Sequence, residues 1–112
     1  MTTDVEKMYR AVLLPEDQRD LHRFLWREDP TQPIRDYRMT RLTFGVCASS
    51  FAANMALRQN ALDYQHEYPQ AAKAALDDFY IDDGLSGEDT VDKAIHLQKD
   101  MQSLFALGCF RL

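Results

Sequence analysis

Two adjacent aspartates close a short apolar run, Phe-Tyr-Ile-Asp-Asp-Gly at residues 79–84, and this stretch limits the possible folds more than any other. Aromatic and β-branched residues favour an extended strand, and Asp-Gly favours the tight turn that reverses a strand. The stretch therefore predicts a β-hairpin with carboxylates at its tip. Two carboxylates so close together need solvent or a cation to offset their repulsion. A solvated turn and a metal site both meet that need.

The rest of the composition predicts one compact domain that spans residues 1–112. A net charge of −5 argues against a free-standing nucleic-acid binder, because phosphate neutralisation needs clustered Lys and Arg. No apolar stretch is long enough to span a bilayer, and no secretory signal is expected. Cys47 and Cys109 are expected to be reduced, buried small hydrophobes, which suits a cytoplasmic location.

Two further β-rich runs, at residues 23–27 and 36–43, flank a turn-forming stretch and predict a second hairpin. Near the start, residues 2–5 are expected to end a strand and residues 6–9 to form a turn. Residues 11–14 are expected to be extended. Strands next to helices make the expected fold class α+β.

Apolar residues at helical spacing predict helices over residues 50–68, 69–76 and 90–107. Ser49 or Ser50 is expected to cap the first of them. The last helix is expected to stop at a glycine, after which another strand begins. The first helix has an expected apolar face of seven residues: Phe51, Ala53, Met55, Leu57, Ala61, Leu62 and Tyr64.

Four motifs occur in the order found in reverse transcriptases. They are Asp-Val-Glu-Lys-Met-Tyr at residues 4–9, Phe-Gly at 44–45 before a helix, Phe-Tyr-Ile-Asp-Asp at 79–83, and Gly-Cys-Phe-Arg-Leu at 108–112. Within that superfamily the chain most resembles the polymerases of BEL/Pao-type long-terminal-repeat retrotransposons. The resemblance implies a reverse-transcriptase palm, an antiparallel sheet backed by helices, in a fragment without complete fingers and thumb.

The resemblance also implies an RNA-directed DNA polymerase that adds dNTPs to a primer 3′-hydroxyl on an RNA or DNA template. Two Mg²⁺ ions, with Mn²⁺ as an alternative, would stabilise the attacking and leaving oxygens. By resemblance, Asp4 and Asp82 would bridge both ions and Asp83 would complete the catalytic site. The carbonyl of Val5 would be a further metal ligand.

Other residues resemble parts of the substrate sites of this family. Tyr9 resembles the aromatic that rejects a ribose 2′-hydroxyl, and the loop at residues 44–45, Phe44 and Gly45, resembles the one that packs against the incoming nucleotide. Tyr80 and Ile81 would lie near the primer end. The family usually has proline at the position of Ser50, which is a departure in this chain.

The implied partners are a nucleic acid primer-template, a dNTP, and the missing fingers, thumb and other polyprotein segments of a retroelement particle. Five arginines supply local positive charge but do not predict a continuous phosphate-binding surface: Arg19, Arg23, Arg35, Arg38 and Arg41. Two alternatives stay open. One is a catalytically inactive, retroelement-derived fragment that acts as an interaction module, and the other is a related polymerase that uses a different template.

Overall fold

Both predicted hairpins form, and they lie in two separate antiparallel sheets. The second strand of the second hairpin ends at Arg38, whereas the sequence predicts it to reach residue 43. The computed structural model describes residues 1–112 as an elongated α+β molecule of 60 × 27 × 21 Å. In chain order the elements are β1 (Thr2–Asp4), α1 (Met8–Ala11), a 3-10 helix (Glu16–His22), β2 (Arg23–Trp26), β3 (Arg35–Arg38), α2 (Ser49–Asp63), α3 (Pro69–Asp77), β4 (Phe79–Tyr80), β5 (Asp83–Leu85) and α4 (Val91–Leu107).

The hairpin of β4 and β5 turns two residues earlier than the sequence predicts. Ile81 has a φ of 58° and forms the turn with Asp82, whereas Asp83 and Gly84 lie within β5. The expectation of an Asp-Gly turn is therefore wrong. Gly84 is buried against Phe79, so its lack of a side chain serves packing rather than chain reversal.

Strand β1 pairs with the free edge of β5, which makes a three-stranded sheet in the order β1-β5-β4. Three helices back this sheet. Small residues on α2 and α3 allow the backbones of these two helices to approach closely, and α4 supplies the large side chains of the core. The core residues of these helices are Ala53, Leu57, Ala61, Ala71, Ala72, Ala74, Ala75, Leu97, Met101, Leu104 and Phe105.

Helix α2 departs from its prediction at both ends. It begins after Ala48, which makes no side-chain capping bond, so neither serine caps it. It ends at Asp63 instead of residue 68. Three residues of the expected apolar face are exposed instead: Phe51, Met55 and Leu62. In contrast, Pro69 opens α3 as predicted. Helix α4 begins one residue later than predicted, because Thr90 is its cap and accepts a hydrogen bond from the Lys93 amide at 3.4 Å.

Several expectations near the chain ends are also wrong. Tyr9 lies in the short helix α1 rather than in a turn, and Ala11, which was expected to be extended, is the last residue of that helix. The last four residues form no strand, although Phe110 is buried with its ring centroid 6.4 Å from that of Phe105. Cys47 and Cys109 are free thiols, but both are exposed, because their neighbours rather than their own apolar character decide their burial.

The hairpin of β2 and β3 stands apart from the core, and every residue in its two strands is exposed. On one face of the hairpin, a cluster of ion pairs links the two strands to each other and to the 3-10 helix. Arg23 contacts both Asp20 and Asp36, and Arg38 contacts Asp20 at 3.2 Å. None of the helices is both long enough and apolar enough to cross a membrane.

Candidate active site

The three-stranded sheet brings two of the predicted carboxylates together. Asp4 on β1 lies directly opposite Asp83 on β5, and Asp83 lies opposite Tyr80 on β4. Directly opposed residues have Cβ atoms about 4.5–5.5 Å apart and point to the same face of the sheet. Asp4, Asp83 and Tyr80 therefore form one row across the sheet.

This row faces away from the core. Phe79, one residue before Tyr80, packs against the fully buried Phe105 at a centroid distance of 5.1 Å. Successive residues of a strand point to opposite faces, so Tyr80 and its row point to solvent. Asp4 and Asp83 are exposed accordingly, and Tyr80 is 80% exposed.

Asp82 and Val5 are joined through the backbone at the end of the row. The amide of Val5 donates to the carbonyl of Asp82 at 2.9 Å, which ties the turn of the hairpin to the chain leaving β1. Val5 is buried, and Asp82 is half-buried. The bond holds the four predicted metal ligands at one corner of the sheet.

The chemistry of these donors suits Mg²⁺, which prefers oxygen ligands and often takes one or two carboxylates plus substrate phosphates. Asp4 and Asp83 supply two such carboxylates as neighbours. Asp82 lies in the turn one residue before Asp83 and is not part of the row. The pairing across the sheet therefore involves Asp83 rather than Asp82.

Tyr9 and the loop before α2 form a second cluster. The Tyr9 hydroxyl lies 3.0 Å from the Ser50 Oγ, and its ring meets that of Phe44 edge-on at 5.6 Å and 73°. Tyr9 is half-buried, whereas Phe44 is 72% exposed. Tyr9 therefore contacts two residues, Phe44 and Ser50, that lie far from it in the sequence.

The loop itself has a left-handed residue at Gly45, with a φ of 82°. Glycine adopts this conformation without the strain that a side chain would add. The loop leads into α2, where the Ser49 Oγ is buried without a hydrogen-bond partner. Gly45 therefore shapes the path of the loop, and Phe44 is left with an open ring face.

Ile81 has a different role from its neighbour Tyr80. Its side chain packs against the hydrophobic core, and its φ of 58° is unusual for a β-branched residue. Such strain persists only where the surroundings hold it. The side chain of Ile81 thus fixes the hairpin turn to the core, whereas the exposed ring of Tyr80 can contact a ligand.

A shallow basic depression beside α1 was not anticipated from the sequence. Its volume is about 220 Å³, and its lining includes Lys7, Arg10 and Arg111. Glu6 lies 3.6 Å from Lys7 and 3.3 Å from Arg111, which leaves Arg10 without an acidic partner. The sequence offers no signal for this cluster, because Arg111 comes from the opposite end of the chain.

No model of a known protein family matches this chain, and no curated protein matches it either.

Proposed function

We propose that this chain is the catalytic palm of an RNA-directed DNA polymerase, which transfers a nucleotide from a dNTP to a primer 3′-hydroxyl. One observation carries the proposal: Asp4 lies directly opposite Asp83 on the outward face of the sheet, although the two are far apart in the chain. That register supports the proposal because it puts two carboxylates close enough together to share an ion.

Two bound Mg²⁺ ions would make the primer hydroxyl a better nucleophile and would offset the charge on the triphosphate. Asp4 and Asp83 would supply carboxylate oxygens for them, and Asp82 would add a third after a side-chain adjustment at the turn. The Val5 carbonyl is a further oxygen at this corner. The exposed ring of Tyr80, in the same row, would contact the primer end.

Tyr9 would exclude ribonucleotides by occupying the space that a 2′-hydroxyl needs. Its position is held by Phe44 on one side and by Ser50 on the other. The hydroxyl of Ser50 can form a hydrogen bond with the hydroxyl of Tyr9, which a proline at this position could not do. Ser50 would therefore help to fix the position of the Tyr9 ring in this chain.

Metal binding can be tested on the 112-residue chain by following its amide NMR signals while Mn²⁺ is added. We expect paramagnetic broadening at Val5 and Gly84, and its loss in Asp4→Asn and Asp83→Asn. The matched control is Asp92→Asn, an exposed acid in the first turn of α4. Broadening that spreads evenly over all acidic segments would contradict the proposal.

Nucleotide transfer is tested with an oligo(dT) primer on poly(rA), with dTTP and Mg²⁺, on the chain with its missing fingers and thumb restored. The isolated fragment is expected to polymerise little or nothing, because those parts hold the template and the triphosphate. Incorporation should occur with the wild-type chain and with Asp92→Asn, and it should disappear in Asp4→Asn. Incorporation that survives in Asp4→Asn would show that another protein is responsible.

The alternative to a polymerase is an inactive, retroelement-derived fragment that acts as an interaction module. Metal-induced broadening without any incorporation, in a chain that folds, would support this candidate over the polymerase.

A further inference from the structure

The hairpin of β2 and β3 has one face made mainly of aromatic rings. Phe24 lies opposite Tyr37, and Trp26 lies opposite Arg35. Opposed residues and residues two apart in a strand share a face, so these four side chains form one surface, called here the aromatic face. The Phe24 and Tyr37 rings are stacked at 5.6 Å and 20°, and Trp26 is 57% exposed.

Within the two strands, the arginine without an ion pair lies on the aromatic face. On the opposite face, Arg23 and Arg38 are both engaged by Asp20, and Arg23 also by Asp36. Arg35 has no ion pair. The ion pairs therefore leave a guanidinium beside exposed rings.

The charge of the chain is also unevenly distributed. Residues 19–41 contain six arginines and four acids, a balance of +2, whereas the rest of the chain carries −7 within the total of −5. A polyanion would therefore be drawn to the hairpin and repelled by the remainder of the molecule. This asymmetry is invisible in the net charge.

The aromatic face is small. Two strands of four residues each are about 14 Å long and about 5 Å apart, which gives a surface of roughly 100–200 Å². A stable protein interface buries about 800 Å² on each partner. The face is therefore too small to hold a protein partner by itself, but it is large enough for a few flat bases.

We propose that the aromatic face binds unpaired RNA or DNA. Bases would stack on Trp26 and on the outer face of the Phe24–Tyr37 ring pair, and Arg35 would contact a phosphate. This site goes beyond the proposed function, because it lies on the other sheet and uses none of the metal-site carboxylates.

Trp26 is the only tryptophan in the chain, so its fluorescence reports directly on the face. Adding a short oligo(dT) or oligo(U) at low salt should quench the emission saturably. The logarithm of the binding constant should fall with that of the salt concentration, with a slope of about −0.7 for each phosphate contacted. Arg35→Gln should weaken binding several-fold and reduce the slope by about 0.7.

Two control variants and one control ligand test whether the oligonucleotide binds at this face. Leu25→Ala changes an exposed residue on the opposite face and should bind as the wild type does. Asp4→Asn should also bind normally, so that a failure at the metal site and a failure here are distinguishable. Inorganic polyphosphate, which has charge but no bases, should not produce the quenching.

Four results would overturn the proposal. One is unchanged Trp26 emission at high oligonucleotide concentrations. The second is equal quenching by polyphosphate, and the third is equal affinity in Arg35→Gln. The fourth is emission that depends on protein concentration and not on oligonucleotide, which would show that a second copy of the chain covers the face.

Discussion

Replacing Gly84 with alanine tests the packing beneath the carboxylate row. A Cβ at this position would lie 2.5, 2.7 and 2.8 Å from three atoms of the Phe79 ring. Carbon atoms in contact are normally about 3.5–4.0 Å apart, so the ring would have to retreat by about 1 Å. It cannot do so freely, because it packs on Phe105, which is fully buried. We expect Gly84→Ala to lower the free energy of unfolding by about 1–3 kcal/mol.

The assay is urea denaturation followed by far-UV circular dichroism. Gly87→Ala is the matched control, since a Cβ added there would meet no atom within 4 Å, and the free energy of unfolding should stay the same or rise by up to about 1 kcal/mol. In a Phe79→Leu background, which lacks the clashing ring atoms, Gly84→Ala should cost less. Equal midpoints for Gly84→Ala and Gly87→Ala would refute the packing argument.

Three further predictions concern separate parts of the molecule. Ser50→Ala and Tyr9→Phe should each lower the free energy of unfolding by about 0.5–1.5 kcal/mol in urea, and the double variant should cost no more than the larger of the two, because one hydrogen bond is lost in each case. Leu104→Ala, at a fully buried position of α4, should cost about 2–5 kcal/mol, whereas an alanine at the half-exposed Leu107 should cost far less. Hydrogen bonds from Arg38 and then Arg23 lower the pKa of Asp20 below its ordinary value of 3.8. The stabilisation from this lowered pKa is therefore present above about pH 4 and is lost as the pH falls through the lowered value. The free energy of unfolding, measured in urea by tryptophan emission, should fall over that acid range, and it should fall less in Asp20→Asn.

Local elements were the part of the fold that could be predicted from the sequence. Both hairpins and the proline that opens α3 follow from residues that are close together in the chain. Their physical causes act over a few residues, because strand propensity and proline geometry are local. The α+β class follows directly from these elements.

The errors have a common cause. Asp-Gly is a strong turn signal, yet Gly84 lies within β5 because the ring of Phe79 occupies the space of a side chain there. The serines before α2 suit a cap, yet Ser50 bonds to Tyr9 instead. In each case a contact with another element overrode a local preference, and no pattern within the segment contains that information.

The sequence by itself determined which residues carry chemistry and which segments extend or coil, since those properties belong to side chains and their near neighbours. Only the tertiary structure decided that Asp4 faces Asp83 and that Tyr80 shares their row, because strand register depends on which face of each strand must be buried. The core side of the sheet is held by Phe79 on Phe105, and the outward side is left to the carboxylates for that reason.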